Sequence, residues 1–317
     1  MSDDRFSLST PADTPLVELR HGARRVLLAP HIGGAIAAFY ESHDADVIHW
    51  LRPATQAMLD ARNPLGMASF PLLPYCNRIR DARFTFNGEL IDLSDDGNTF
   101  PHALHGNAWR RPWRVDAVSE SRATLSFAHE PSRAAAHHWP FAYEASQEIV
   151  LDAHALSVTM TLRNLSDQPM PFGIGHHPYF PRTPATTVSA QVDAMWHGTP
   201  DPLPMHLAPH PSVDALNSAQ GMLPDAFDLD NHFTGWKHSA TIAWPDEDRA
   251  VTLKAAAPFD FMVIYAPATF PSLLCVEPVS NVADWVNLDA DRASAGGGVL
   301  APGEVMRAGF SLATRIG

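Results

Sequence analysis

Alternating apolar and polar positions mark the strongest predicted strand, at residues 156–162. Serine and threonine separate its four apolar residues, which are Leu156, Val158, Met160 and Leu162. A period of two places one set of side chains in a core and the other in water, as in a half-buried strand. Similar alternation predicts further strands at 123–127, 240–244, 250–255 and 259–265.

Residues 83–91 predict a β-hairpin. At its centre, Asn87 and Gly88 supply the positive φ angles that a tight primed turn needs. Helical patterns are rare: residues 54–61 predict one short helix, and no convincing amphipathic helix of ten or more residues is found. Many short strands separated by turn signals predict an all-β chain, built as an antiparallel sandwich or barrel.

The chain carries no internal repeat, low-complexity segment or linker long enough to divide it. Its 317 residues are 45% apolar, which is enough for a large core. Large β-sandwiches often run past about 200 residues as one domain. We therefore expect residues 1–317 to form a single domain.

Acidic residues outnumber basic ones by 35 to 22, which gives a formal net charge of −13. A nucleic-acid-binding protein shows a basic patch or stripe, and this chain has none, so neither nucleic acid nor an anionic membrane is an expected partner. A neutral small molecule fits this charge balance. No run of 18 apolar residues occurs, so no transmembrane helix is expected.

Two further features concern the compartment. Residues 1–5 lack the basic flank and apolar run of a secretory signal. The two cysteines are too few for a disulfide framework. These features predict a cytoplasmic protein.

Four polar clusters interrupt the apolar pattern beside glycine or proline, at residues 77–80, 104–106, 175–180 and 275–278. A fifth and weaker one spans 229–236. Within the fourth, Glu277 follows a predicted buried strand, and Pro278 ends regular pairing. A buried glutamate is rare unless it is paired or functional, so Glu277 stands out as a candidate catalytic residue.

The residues alone leave structural explanations open. A buried arginine can simply pair with a carboxylate, and many of the 17 histidines can be structural or exposed. Trp236 and Trp285 can be core residues or faces on which a sugar stacks. Cys275 lies two residues before Glu277, which places both on one face of a strand. No neighbouring base indicates a thiolate nucleophile, and packing explains this cysteine equally well.

At these clusters the sequence resembles the aldose 1-epimerase (galactose mutarotase) family. The matching segments, in the family's order, are "NPLGMASFPLLPYCNRIRDARFTFNGE", "HALHGNAW", "GIGHHPYF" and "LLCVEPVSNVADWVN". They resemble its Asn-Arg segment with the following hairpin, its His-Gly segment, its His-Pro-Tyr-Phe segment and the segment that carries its glutamate. The resemblance implies a large antiparallel β-sandwich with its site in a cleft on one sheet.

The resemblance also implies residue roles. Glu277 matches the family's general base, and His177 matches its general acid. The candidate substrate contacts are Arg78, His105, Asp230, Asn77, His176 and Trp236. The surroundings of Asp230, "LDNHFTGW", are typical of a divergent branch and leave Asp228 and Asp225 as alternatives.

The implied activity is exchange between the α and β anomers of a free aldose, by acid–base opening and closure of the sugar ring. No redox step occurs, so the reaction requires no nicotinamide, flavin or metal cofactor. The expected partner is a small sugar, bound by a monomer or a homodimer.

Three other functions stay open at this point. His105, His177 and Glu277 together could bind a transition metal. The protein could instead be a sugar-binding or regulatory module without turnover. A third alternative is a sugar-6-phosphate epimerase, which would need an added basic cluster. The basic candidates are Arg80, Arg110 and Arg111.

Overall fold

The computed structural model describes residues 6, 8, 15–43, 46–94, 101–131 and 138–317. Residues 1–5, from which we predicted the absence of a secretory signal, lie outside this part of the chain. In chain order the strands are β1 (Val17–His21), β2 (Arg24–Ala29), β3 (Ala35–His43), β4 (Asp46–His49), β5 (Pro71–Leu72), β6 (Arg78–Ile79), β7 (Arg83–Phe86), β8 (Glu89–Asp92), β9 (Ala103–Leu104), β10 (Arg114–Val118), β11 (Arg122–His129), β12 (Tyr143–Leu151), β13 (Ala155–Asn164), β14 (Met170–Phe172), β15 (Gly175–His176), β16 (Tyr179–Phe180), β17 (Thr187–Ala190), β18 (Ala194–Gly198), β19 (Pro204–Ala208), β20 (Leu229–Thr234), β21 (Ser239–Trp244), β22 (Arg249–Ala255), β23 (Phe261–Ala266), β24 (Leu274–Val279), β25 (Gly298–Leu300) and β26 (Val305–Ile316).

Helices are few and short. The α-helices are α1 (Gln56–Asp60), α2 (Pro211–Asn217) and α3 (Arg292–Ala295). Short 3₁₀ turns lie at Pro64–Gly66, Arg80–Ala82, Ala108–Arg110, Pro224–Ala226 and Pro245–Glu247. The prediction of an all-β chain with few short helices is confirmed.

Two large antiparallel sheets hold most of the strands. The first has the order β10-β11-β12-β13-β26-β22-β21-β17. The second has the order β19-β18-β20-β23-β24-β15-β5, and β24 also pairs with β16. A smaller sheet joins β1-β2-β3-β4, and three strand pairs complete the set: β6-β9, β7-β8 and β14-β25.

The two large sheets pack face to face. Gln147 lies on β12 of the first sheet, and its Oε1 is 3.2 Å from Nε2 of His176, on β15 of the second sheet. The His176 ring also lies 5.1 Å from the ring of Phe310, on β26 of the first sheet. All three side chains are buried. The predicted antiparallel β-sandwich is therefore the observed fold.

Local predictions from the sequence also hold. In β13 the four apolar residues of the predicted strand are buried, and the polar residues between them are partly exposed. β7 and β8 form the predicted hairpin, with φ of 51° at Asn87 and 85° at Gly88. The predicted short helix is α1, and its N-cap, Thr55, accepts a hydrogen bond from the backbone of Met58.

None of the helices in the described ranges is long and apolar enough to cross a bilayer. The expectation that residues 1–317 form one domain stays a prediction.

Candidate active site

Strand register gathers polar side chains on one face of the second sheet. Across β20, β23 and β24, residues that pair between neighbouring strands form two rows. One row is His232–Val263–Glu277, and the other is Asp230–Tyr265–Cys275. Directly opposed residues, and residues two apart on one strand, project to the same face of a sheet. Asp230 and Glu277 therefore share a face although 46 positions separate them along the chain.

The same alternation separates the two neighbouring histidines. Gly175 pairs with Val279 on β24, so successive residues after it face opposite sides. His176 points between the sheets, where its ring nitrogens meet Ser69 Oγ and Gln147 Oε1. His177 lies on the Glu277 side.

Glu277 and His177 form a buried pair. Oε1 of Glu277 lies 3.4 Å from Nε2 of His177, and the two residues are 2% and 6% exposed. Two further atoms of the pair, Glu277 Oε2 and His177 Nδ1, are buried without a hydrogen-bond partner in the described part of the chain. Buried polar atoms are normally satisfied, so the pair retains hydrogen-bonding capacity for a ligand.

Aromatic rings fix the orientation of His177. Its imidazole stacks against Phe70 and against Tyr179, with ring centroids 4.8 Å and 4.6 Å away. The guanidinium of Arg52 covers the Tyr179 ring at 4.0 Å. The edge of His105 meets the His177 ring at 5.4 Å. The imidazole is therefore held in one plane beside Glu277.

Backbone contacts set the tautomer of His105. The backbone N–H of Asn77 donates to His105 Nδ1 at 3.0 Å, and the N–H of His105 donates to the carbonyl of Asn77 at 2.9 Å. Since Nδ1 accepts, the proton of the neutral ring lies on Nε2. Burial, followed by the charges of His177 and Arg78, lowers the pKa of His105 well below 6.5. His105 therefore offers a neutral N–H donor at physiological pH.

Arg78 and Asp230 form an ion pair at 3.2 Å beside the catalytic candidates. The Asn77 side chain accepts from the Arg78 guanidinium at 3.1 Å and from its backbone N–H at 2.9 Å. Burial raises the pKa of Asp230, and Arg78 opposes this rise. Asn77 thus positions the arginine, while Arg78 and Asp230 supply a donor and an acceptor for hydroxyl groups.

Burial sets the charge state of the central pair. It raises the pKa of Glu277 well above 4.5, with a further contribution from Asp230 against the opposing charge of Arg78. Burial also lowers the pKa of His177 to about 3, and Arg52 and Arg78 add to this shift. Before a sugar binds, both shifts favour the uncharged form of each group, a carboxylic acid beside a neutral imidazole.

The structure brings most of the predicted site residues together. On or beside this face lie Glu277, His177, Arg78, His105, Asp230 and Asn77. Among the three aspartates, Asp230 is the one paired with Arg78, since Asp225 pairs with Arg182 and Asp228 accepts from the backbone of Ala268.

Two predicted substrate contacts lie elsewhere. His176 is fully buried between the sheets, and both of its ring nitrogens are used there. The indole N–H of Trp236 donates to the carbonyl of Ser239, and its ring meets His238 at the turn after β20. The structure gives both residues packing roles and places neither in the polar cluster.

His232, inside the fifth polar cluster, was not among the predicted site residues but lies on the same face as Glu277. This residue is 4% exposed, and its Nε2 accepts from the backbone N–H of Ala283 at 3.2 Å. Burial and the charge of Arg78 lower its pKa to about 3. The available signal was its position two residues after Asp230 on a strand, which places both on one face.

The described residues contain one group of three side chains that could hold a metal ion: His177, Cys275 and Glu277, whose ligand atoms lie within 4.8 Å of one another. The alternative set from the sequence included His105 instead of the cysteine. Since Nδ1 of His105 accepts from Asn77, only its protonated Nε2 is left, and a metal requires an unprotonated nitrogen.

Comparison with known proteins agrees with this architecture. A family model described as aldose 1-epimerase matches residues 15–313. The uncharacterized protein YphB of Escherichia coli K12 is 29% identical over 301 residues, covering 93% of this chain and 97% of that protein.

Solved structures show the same fold. A protein of Escherichia coli K12, provisionally named an aldose 1-epimerase, is 26% identical with a TM-score of 0.83, over 96% of this chain and 99% of that one. A galactose mutarotase-like protein of Clostridium acetobutylicum is 18% identical with a TM-score of 0.83, over 96% of both chains. Because the family model matches from Pro15, just before β1, to Ala313 in β26, the chain belongs to the aldose 1-epimerase family.

Proposed function

We propose that this protein is an aldose 1-epimerase that exchanges the α and β anomers of a free aldose, with Glu277 and His177 as its acid–base pair. The observation that carries the proposal is the buried contact of 3.4 Å between these two side chains. Binding alone does not need two proton-transfer groups side by side. Arg78 and His105 beside them supply hydrogen-bond donors for sugar hydroxyls.

Anomer exchange is a balanced double proton transfer. To open the ring, the C1 hydroxyl gives its proton to the Glu277 carboxylate, and the His177 imidazolium gives a proton to the ring oxygen. The C1–C2 bond of the open aldehyde then rotates. Closure on the other face reverses both transfers, so the sugar and the pair each end with the protons they began with. Each group typically contributes about 10²–10⁴-fold.

The buried pair suits this cycle because its two forms hold the same number of protons. One form is carboxylate with imidazolium, which opens the ring. The other is carboxylic acid with neutral imidazole, which remains after opening. Burial favours this second form before sugar binds, so the proton passes from Glu277 to His177 across their 3.4 Å contact before the ring opens. Neither half of the cycle needs a proton from bulk water, and His105, Arg78 and Asp230 can hold the sugar in place while it rotates.

Freshly dissolved, anomerically pure aldoses provide the first test. We expect faster approach to anomeric equilibrium for at least one member of a panel that includes glucose, galactose, xylose and arabinose. Polarimetry or proton NMR with and without protein measures this, in buffer that contains a chelator. Activity that disappears on chelation and returns with a divalent metal favours a metal enzyme. No acceleration across the panel favours a sugar-binding module.

The pH profile provides a second prediction. The pair needs one proton in total, so kcat/KM falls as pH rises through the raised pKa of Glu277. The Asp230→Asn substitution removes a negative charge that raises this pKa, and it frees Arg78, whose charge lowers it. Both changes move the alkaline limb of the kcat/KM profile to lower pH.

The matched control for this shift is Asp228→Asn, which removes a carboxylate that binds the Ala268 backbone rather than Arg78. Its alkaline limb should stay in place. An alkaline limb that does not move in Asp230→Asn, or that moves to higher pH, would contradict the assignment of this limb to Glu277.

Free sugars should be better substrates than their 6-phosphates. Both arginines of the sequence cluster at residues 77–80 already have carboxylate partners. Arg78 pairs with Asp230 at 3.2 Å, and Arg80 pairs with Asp284 at 3.1 Å. A phosphate carries about two negative charges near pH 7 and usually recruits arginine forks. The measurement is kcat/KM for one aldose and for its 6-phosphate at two salt concentrations. A preference for the phosphate that shrinks with salt would favour a sugar-phosphate epimerase.

We also propose that the protein acts in the cytoplasm, as a monomer or a homodimer, without nucleic-acid or membrane partners. The support is its acidic charge balance and its two unpaired, buried cysteines. Cell fractionation and light scattering test these two expectations.

A further inference from the structure

We propose that His177, Cys275 and Glu277 form a binding site for a soft divalent metal, Zn²⁺ above all, and that metal bound there inhibits the enzyme by occupying its acid–base pair. The metal is an inhibitor in this proposal, and anomer exchange itself proceeds without it. The binding part stands independently of the proposed function, whereas the inhibition part rests on it.

The geometry of β24 supports this site. Cys275 and Glu277 lie two residues apart on the strand and project to the same face. Cys275 is paired with Tyr179, the ring that stacks on His177. One ligand atom from each of His177, Cys275 and Glu277 lies within 4.8 Å of the others. Strand β24 thus supplies two of the donors, and His177, in the connection between β15 and β16, supplies the third.

The distances are close to those of a bound zinc ion. Bonds of about 2.0–2.3 Å in a tetrahedral site place ligand atoms roughly 3.3–3.8 Å apart. Contraction from the present spread requires shifts of roughly 1 Å, which changes of side-chain torsion provide. A fourth position is left for water, as in zinc sites with three protein ligands.

Unsatisfied atoms provide a second and independent observation. Glu277 Oε2 and His177 Nδ1 have no hydrogen-bond partner among the described residues, and both side chains are more than nine-tenths buried. A buried carboxylate oxygen without a partner is costly. A cation beside it would supply the missing interaction.

The donor set selects the kind of metal. One thiolate, one imidazole and one carboxylate suit Zn²⁺, Co²⁺ or Cd²⁺, whereas Mg²⁺ and Ca²⁺ require oxygen ligands. The thiol proton of Cys275 and the carboxyl proton of Glu277 leave to solvent when the metal binds, because the thiolate and the carboxylate are the ligands. Cys275 is fully buried, and its thiol lies within 4.8 Å of the ligand atoms of the pair, so a metal held by all three side chains occupies the acid–base pair and excludes the sugar.

The chain offers a matched control for this site. Its two cysteines are Cys76 and Cys275, and both are free and buried. Cys76 lies outside the metal-ligand group. Comparable substitutions at these two positions therefore separate loss of a ligand from loss of a buried thiol.

Cobalt titration tests binding without any enzyme assay. We expect Co²⁺ to produce a thiolate-to-cobalt charge-transfer band in the wild-type protein and in Cys76→Ser, and Zn²⁺ to abolish the band by displacement. Cys275→Ser and Cys275→Ala should lack it, with thermal unfolding used to show that at least one of them is folded. No band in the wild-type protein, or an equal band in a folded Cys275 variant, overturns the proposal.

Inhibition provides the second measurement. Zn²⁺ should slow anomer exchange by the wild-type protein, and a chelator should restore it. In Cys275→Ser the zinc concentration for half-inhibition should rise by about tenfold or more, the scale of effect seen when support for a metal ligand is lost. Equal inhibition of both proteins overturns the inhibitory role. A cobalt band without anomer exchange in any protein refutes the proposed function and leaves the metal site supported.

Discussion

Replacement of Glu277 by glutamine is expected to reduce kcat by a factor on the order of 10²–10⁴ while the variant folds and still binds sugar. The amide keeps the shape of the side chain, which lies 3.4 Å from His177. It cannot take a proton from the C1 hydroxyl. Stopped-flow polarimetry measures the turnover, and calorimetric titration with the preferred aldose measures binding. Near-wild-type turnover would remove Glu277 from the acid–base pair.

The neighbouring histidines supply a matched comparison. His177→Asn should lose turnover to a similar extent, because it removes the other member of the pair. His176→Asn should mainly lower the free energy of unfolding, by about 1–3 kcal/mol, through broken hydrogen bonds between the sheets. Its turnover in the folded state should change much less. The reverse ranking would show that His176 is the catalytic histidine.

The second large effect is expected at Gly106, beside His105. Gly106 has φ of +70°, and an added Cβ would lie 2.0 Å from the carbonyl oxygen of Leu73. In Gly106→Ala, left-handed strain of about 1–2 kcal/mol adds to a backbone clash of about 1–3 kcal/mol. We therefore expect the free energy of unfolding to fall by roughly 2–5 kcal/mol, and the displaced His105 to lower turnover in the protein that remains folded.

Gly88→Ala is the control for this substitution. Gly88 also has a positive φ, of +85°, but an added Cβ meets nothing within 4 Å. Its cost should be the conformational strain alone, about 1–2 kcal/mol, with turnover unchanged. Urea unfolding of both variants gives the comparison. Equal losses of stability in the two would contradict the clash with Leu73.

The sequence predicts those parts of the fold that depend on neighbouring residues. Alternation around Val158 identifies β13 and its buried face, because successive side chains of a strand face opposite sides. Asn87 and Gly88 identify a hairpin because few residues accept positive φ. His176, at the end of β15, points toward the first sheet, whereas His177, one residue further on, lies beside Glu277.

Strand order and register cannot be predicted from the local alternation of apolar and polar residues. A period of two does not state which strands pair, so the placement of β24 beside β23 and of β13 beside β26 comes only from the structure. The row that joins His232 to Glu277 is likewise visible only in the structure. Trp236 illustrates a second limit of local pattern: an aromatic ring suits both a sugar-binding face and a core, and in the structure this ring is buried.

Exchange between anomers at equilibrium reports directly on whether the protein catalyses the proposed reaction. Two-dimensional proton exchange NMR detects transfer between the α and β signals of an aldose without any other reaction. With chelator present, we predict exchange above the uncatalysed rate with the wild-type protein, for at least one aldose, and exchange near the uncatalysed rate with Glu277→Gln. Exchange at the uncatalysed rate with both proteins, for every aldose, would contradict the proposed epimerase activity. Equal acceleration by both proteins would contradict the acid–base role of Glu277.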